Sequence, residues 1–242
     1  MCKNKYLSVL LLLAIMLTVA GCNAGLVRGS GDLITETRQV NNFDSIDLSG
    51  VGEVIITQGG SESLSIETDD NVMKHLKIVV ENGTLKLGFE EGFQSITPTR
   101  LVFSVGVDDL TGLTVSGSGD IKADALKTDR LDVTVSGSGS VQVADLSVSK
   151  VTVDISGSGK VNLGGDAADQ VVTISGTGEY LAGDVCSTSV EIDVSGSGDA
   201  TVCASESLDT NISGSGLVSY YGKPSVNSSG SGSGTLNSLG EK

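Results

Sequence analysis

The tetrapeptide Ser-Gly-Ser-Gly recurs at a nearly constant interval, and that interval limits what the chain can fold into more than any other feature. It begins at Ser116, Ser136, Ser156, Ser195 and Ser213, with Ser-Gly-Thr-Gly at Ser175, so successive copies stand 20, 20, 19, 20 and 18 residues apart. A variant, Ser-Gly-Val-Gly, begins at Ser49, and a degenerate copy lies near Ser229. Apolar residues alternate with polar ones around each copy. Leu131, Val133 and Val135 precede the second motif, with Val141 and Val143 after it; Val151, Val153 and Ile155 precede the third, with Val161 and Leu163 after it; Val190, Ile192 and Val194 precede the fifth. Period-two alternation in segments rich in β-branched residues means strands with one buried face. A unit of this size cannot bury its apolar face alone. Stacked units can, with equivalent positions about 4.8 Å apart in parallel register.

The repeat therefore predicts an all-β fold, a parallel β-helix with one coil of about 20 residues per repeat over residues 113–237. Steps of two from Val135 put Gly137 and Gly139 inside, and leave Ser136 and Ser138 outside in ladders. Flexible Gly/Ser linkers would keep neither the period nor the alternation. The 33 Gly and 2 Pro follow no period of three, which excludes collagen. Residues 33–112 repeat less clearly and are expected to form an irregular β-rich cap. Within it Ile46, Leu48, Val54 and Ile56 fit a first coil, Asp70 is a candidate helix cap, and Asn82-Gly83 marks a hairpin. Tyr220, Tyr221 and Pro224 are expected to close the other end, with residues 238–242 as a tail.

The first residues read as an address. Lys3 and Lys5 precede an apolar run from Tyr6 to Ala20, the pattern of a secretory signal over residues 1–21. Val19-Ala20-Gly21-Cys22 resembles a bacterial lipobox, which makes Cys22 the expected lipidation site. Residues 22–32 read as a flexible tether, and Asn23 favours the outer membrane. The anchor would thus join the chain to the cell envelope.

Thirty acidic against 15 basic residues, for a formal charge of −15, argue against nucleic acid, which needs clustered Lys and Arg. The single His, His75, leaves little for His-based zinc sites or a Ser-His-Asp triad. Acidic residues such as Asp120, Asp132, Asp154, Glu179 and Asp199 fall at outward positions and read as a solvated face. One patch suggests a weak calcium site: Glu191 and Asp193 on one strand, with Asp209 and Asn211 one coil later. Beyond Cys22, Cys186 and Cys203 lie 17 residues apart, close to one coil. An even pair at stacking distance in an oxidising compartment is expected to form a disulfide.

Taken together, the lipobox, the β-rich N-terminal part and the repeated Ser-Gly-Ser-Gly resemble the putative auto-transporter adhesin family with the head GIN domain, over about residues 34–236. The resemblance implies a single-stranded, pectin-lyase-like and right-handed β-helix, and an adhesin-like, non-catalytic role toward an extracellular or periplasmic glycan or protein. No family binding residue comes with it. The alternatives are a polysaccharide-active β-helix lyase or hydrolase, and a structural or sensing lipoprotein without a ligand of its own. No cofactor is implied.

Overall fold

The computed structural model describes residues 26–92 and 95–242, so the signal segment and Cys22 lie outside the described residues. The fold is all-β, a solenoid of about 6 turns with coils of about 20 residues. In chain order the early elements are β1 (Leu26–Arg28), β2 (Leu33–Arg38), β3 (Ser45–Gly50), β4 (Glu53–Gln58), β5 (Ser63–Asp69), the one-turn helix α1 (Asp70–Met73), β6 (Leu76–Glu81), β7 (Thr84–Phe89), β8 (Ser95–Thr97) and β9 (Leu101–Val107). The regular coils follow as β10 (Gly112–Gly117), β11 (Asp120–Gly137), β12 (Ser140–Gly157), β13 (Lys160–Gly176), β14 (Glu179–Gly196) and β15 (Asp199–Gly214). The chain ends in β16 (Leu217–Tyr221), β17 (Ser225–Gly232) and β18 (Thr235–Gly240).

Every pairing between regular coils is parallel, and the first two walls hold the motif in register, the shifts being confined to the third wall. Ser116 pairs with Ser136, Ser136 with Ser156, Ser156 with Ser175, Ser175 with Ser195, and Ser195 with Ser213. The first wall of the solenoid leads into the motif, the second leaves it, and a third returns to the next coil. Inward columns hold the core. On the first wall Leu85, Ile46, Leu113, Val133, Val153, Val172 and Ile192 stack in one line, and on the second Phe103, Val54, Ile121, Val141, Val161 and Tyr180 in another. All of these are buried. Each such aliphatic side chain contributes roughly 1.5–3 kcal/mol on burial.

The motif is the corner between the first two walls. Gly139 points inward and is buried, as the alternation requires, but Gly137 does not lie inside: it is half-exposed at the bend. Its φ is +125°, and a Cβ there would stand 2.5 Å from the Gly117 carbonyl oxygen of the coil below. The first glycine of the motif is therefore needed for a left-handed turn against backbone, not for a close approach of walls. The ladder continues through the bend. Ser138 N–H donates to the Gly117 carbonyl and Ser158 N–H to that of Gly137.

The N-terminal part is threaded out of order. β3 and β4 form a coil of the solenoid, lying directly under β10 and β11. The chain then leaves, and β7 and β9 return in parallel beneath β3 and β4. Antiparallel strands finish this end: β6 pairs with β7 through Asn82 and Gly83, both at positive φ, while β5 pairs with β9 and β2 with β5. Where β4 departs, the Gln58 side chain takes the place of missing backbone. Its amide donates to the Lys127 carbonyl at 2.9 Å and accepts from the Lys127 N–H at 2.7 Å.

Three local expectations change. Asp69, not Asp70, is the N-cap residue of α1. The segment read as a tether carries β1, which pairs in parallel with β8. Tyr220 and Tyr221 do not close the C-terminal end, because β18 stacks on their strand, β17 follows them on β15, and the residues read as a tail extend β18 to Gly240.

Candidate functional site

The outer surface of the first wall keeps an unbroken register from coil to coil. Its outward positions come in columns one strand apart: Asp132, Thr152, Val171, Glu191 and Asp209 in one, Thr114, Thr134, Asp154, Thr173, Asp193 and Asn211 in the next, then the motif serines. Stacking of equivalent coils places hydroxyl, carboxylate and methyl groups on a grid of about 4.8 Å by about 7 Å. Such a grid offers hydrogen bonds to a flat ligand.

The proposed cation patch lies on this wall. The register sets Glu191 against Asp209 and Asp193 against Asn211, the stacking that the spacing predicts. The patch does not close around an ion: among the described residues no group of three or more His, Cys, Asp or Glu is placed to hold a metal. The Asp209 carboxylate instead accepts a 3.0 Å hydrogen bond from the Asn227 amide one coil on.

The third wall carries an open groove of about 1070 Å³ along several coils. Leu126, Val148 and Ala167 form its floor, and Asp108, Asp109, Asp129, Asp145 and Asp166 stand around it with Lys127. Cys186 lies at one end. It pairs in register with Cys203, and the two form a disulfide with Cα atoms 4.4 Å apart. Between them the register shifts, since β15 returns with fewer residues than β14, and that shift aligns the two cysteines. Closing a loop of this size contributes about 3 kcal/mol in the chain-entropy account.

Two buried polar sites went unread in the sequence. Gln170 sits in a core column between Val151 and Val190. The Tyr180 hydroxyl donates to its carbonyl oxygen at 2.7 Å, and its amide donates to Ser187 Oγ at 2.7 Å and to the Val185 carbonyl at 3.1 Å. Ser187 in turn donates to the Ala167 carbonyl at 2.6 Å. Burial pushes the Tyr180 phenol far above its ordinary range. A glutamine at an inward step of the alternation was the available signal.

The second site is Asp69, a fully buried carboxylate in the cap. It accepts N–H bonds from Gly31 and Thr99, each at 2.7 Å, and so ties the N-terminal strand and the segment after β8 to the end of the solenoid. Burial acts to raise its pKa, but the hydrogen bonds from Gly31 and Thr99 outweigh that and hold it below the usual carboxylate range. This is the opposite of what a glycosidase acid requires, a carboxyl kept protonated near neutrality. The sign for stability follows directly. A carboxylate with a lowered folded pKa contributes stability above its unfolded value, about 3.9, and loses it as pH falls through the folded value. Asp69→Asn is thus expected to lower the urea midpoint at neutral pH, and its gap from wild type narrows in melts below about pH 4. A gap independent of pH would show that the charge on Asp69 contributes nothing.

Among the described residues no helix is long and apolar enough to cross a membrane. Comparison with known proteins matches the folded part of the chain. The profile of the family described as putative auto-transporter adhesin, head GIN domain, matches residues 42–224. A crystal structure of a putative adhesin from Bacteroides fragilis NCTC 9343 superposes with a TM-score of 0.83 at 30% identity, covering 88% of this chain and 100% of that one. A putative adhesin from Parabacteroides merdae ATCC 43184 gives 0.72 at 25% identity, covering 89% and 100%. A putative lipid binding protein from Parabacteroides distasonis ATCC 8503 gives 0.75 at 23% identity, covering 88% and 99%, and shares the fold. No protein of curated function matches the sequence.

Proposed function

The chain belongs to the putative auto-transporter adhesin, head GIN domain family, and on that premise we propose that it is a lipid-anchored outer-membrane protein. It presents the first wall as a non-catalytic binding face for a glycan or a protein surface. The observation that carries the binding role is the in-register array of Thr, Ser and Asp side chains from Thr114 through Asn211, rigidly spaced by the backbone ladder beneath it. A fixed grid binds with little ordering cost, which suits many weak, repeated contacts. The anchor rests on Cys22 and the residues before it. Several acyl chains on one residue hold a protein stably where a single chain does not.

Two measurements on the full chain test this reading. Cys22→Ser is expected to move the protein from the detergent phase to the aqueous phase in cloud-point partition, and an unchanged distribution would overturn the lipid anchor. Protease shaving of intact cells is expected to remove the protein from the surface; full protection would overturn the adhesive role.

A further inference from the structure

The two ends of the solenoid are finished differently. At the N-terminal end antiparallel β2, β5 and β6, with α1, cover the coils. At the other end β17 is the outermost strand of the first wall, and every one of its residues is exposed. Among the described residues nothing pairs with its outer edge. Natural edge strands are blunted by charges, proline or bulges. Here residues 225–240, Ser-Val-Asn-Ser-Ser-Gly-Ser-Gly-Ser-Gly-Thr-Leu-Asn-Ser-Leu-Gly, carry no charge and no proline, in a chain of formal charge −15. The core column turns polar as it reaches this end: Thr210 pairs with Ser228 and donates a 3.0 Å hydrogen bond to it, where Ile192 and Val172 lie below. What the edge lacks is hydrogen-bond partners more than apolar cover, so a strand fits it better than a lipid surface does.

We propose that the strand it takes is β17 of a second copy, paired antiparallel about a two-fold axis at Ser228. Charge selects the partner. Two such acidic chains repel over most of their surfaces, and this end is where they meet without carboxylates face to face. The ladder phase agrees. On the straight part of the first wall the Asp132 N–H points down to the Thr111 carbonyl, and Asn227 is its counterpart in β17, so by the alternation of a parallel ladder Val226, Ser228 and Gly230 turn their N–H and C=O groups to the free edge. Antiparallel pairing centred on Ser228 makes all three into hydrogen-bonded pairs, with Val226 opposite Gly230 on the inner face, a large residue against none. The second wall ends in the same coil as β17, because β18 lies on β16 as β17 lies on β15, and it stands one strand above the third wall, which stops at Gly222–Pro224. The two-fold sends the partner's raised wall to the opposite side, over the short turn at Gly222–Pro224, so the two steps do not collide. The result is an isologous dimer of two end-joined solenoids.

Sedimentation of the full chain in mild detergent tests it. Wild type is expected at twice the protein mass in the low-micromolar range. Ser228→Pro, which removes an outward N–H, and Ser229→Lys, which sets a cation on each copy's edge, are both expected to sediment at the monomer mass with unchanged circular dichroism. Ser228→Cys is expected to cross-link to a dimer on mild oxidation. A wild type that stays monomeric at ten times that concentration overturns the proposal, as does a dimer that persists in both edge variants.

Discussion

Gly137→Ala is expected to cost about 4 kcal/mol, enough to remove much of the stability of a domain this size. Two penalties add at this position. The φ of +125° lies where L side chains are strained, and the new Cβ would stand 2.5 Å from the Gly117 carbonyl oxygen. That oxygen is backbone, already held by the Ser138 N–H, so it cannot move without breaking the corner ladder. Backbone strain of this kind costs of order 1–3 kcal/mol before the clash is counted. Urea melts against Ser136→Ala, whose exposed side chain should change stability by less than about 0.5 kcal/mol, provide the check. If the two variants melt alike, the corner is not what holds the coils in step.

Gln170→Leu is expected to cost about 3–5 kcal/mol despite raising the hydrophobicity of the core. The substitution leaves the Tyr180 hydroxyl without its acceptor and the Val185 carbonyl without its donor, in an interior where neither reaches water. Tyr180→Phe alone is milder, about 1–2 kcal/mol, because it orphans a single carbonyl oxygen. The double variant Gln170→Leu with Tyr180→Phe should be more stable than Gln170→Leu alone, since each change removes a partner that the other left stranded. A double variant whose losses simply add would show that the three side chains are not coupled.

Much of this fold was legible because one period governs it. Val133, Val153 and Val172 had to share a column once their spacing matched the motif, and the register followed along with them. The same arithmetic placed Cys186 beside Cys203 and Glu191 beside Asp209. It failed at Gly137, because stepping by two assumes a straight strand, and a left-handed corner turns its residue along the bisector of two walls. It also failed for residues 59–111, whose antiparallel strands have no repeat to count; there the Asn82-Gly83 turn and the helical turn at Asp70–Met73 announced themselves by their own chemistry. The candidate binding face was legible as a row of outward serines, whereas its evenness depends on a register that runs unbroken from coil to coil, which spacing alone does not state. Tyr220 and Tyr221 looked like a stopper by size. They proved to be ordinary members of a stack that continues past them in smaller residues.

The threading of the N-terminal coil sets the order of events during folding. In a simple solenoid each new coil finds its neighbour already made, some twenty residues behind it, and growth proceeds by short loop closures. β3 and β4 have no such neighbour when they are made: their lower partners come with residues 84–107 and their upper partners with residues 112–123. Until both arrive, an apolar pair of strands waits with two open edges. Nucleation is therefore expected to be slow and non-local at this end, and the later coils to zip rapidly once it is set. A chain that emerges N-terminus first thus makes its least self-sufficient part before the coils that complete it.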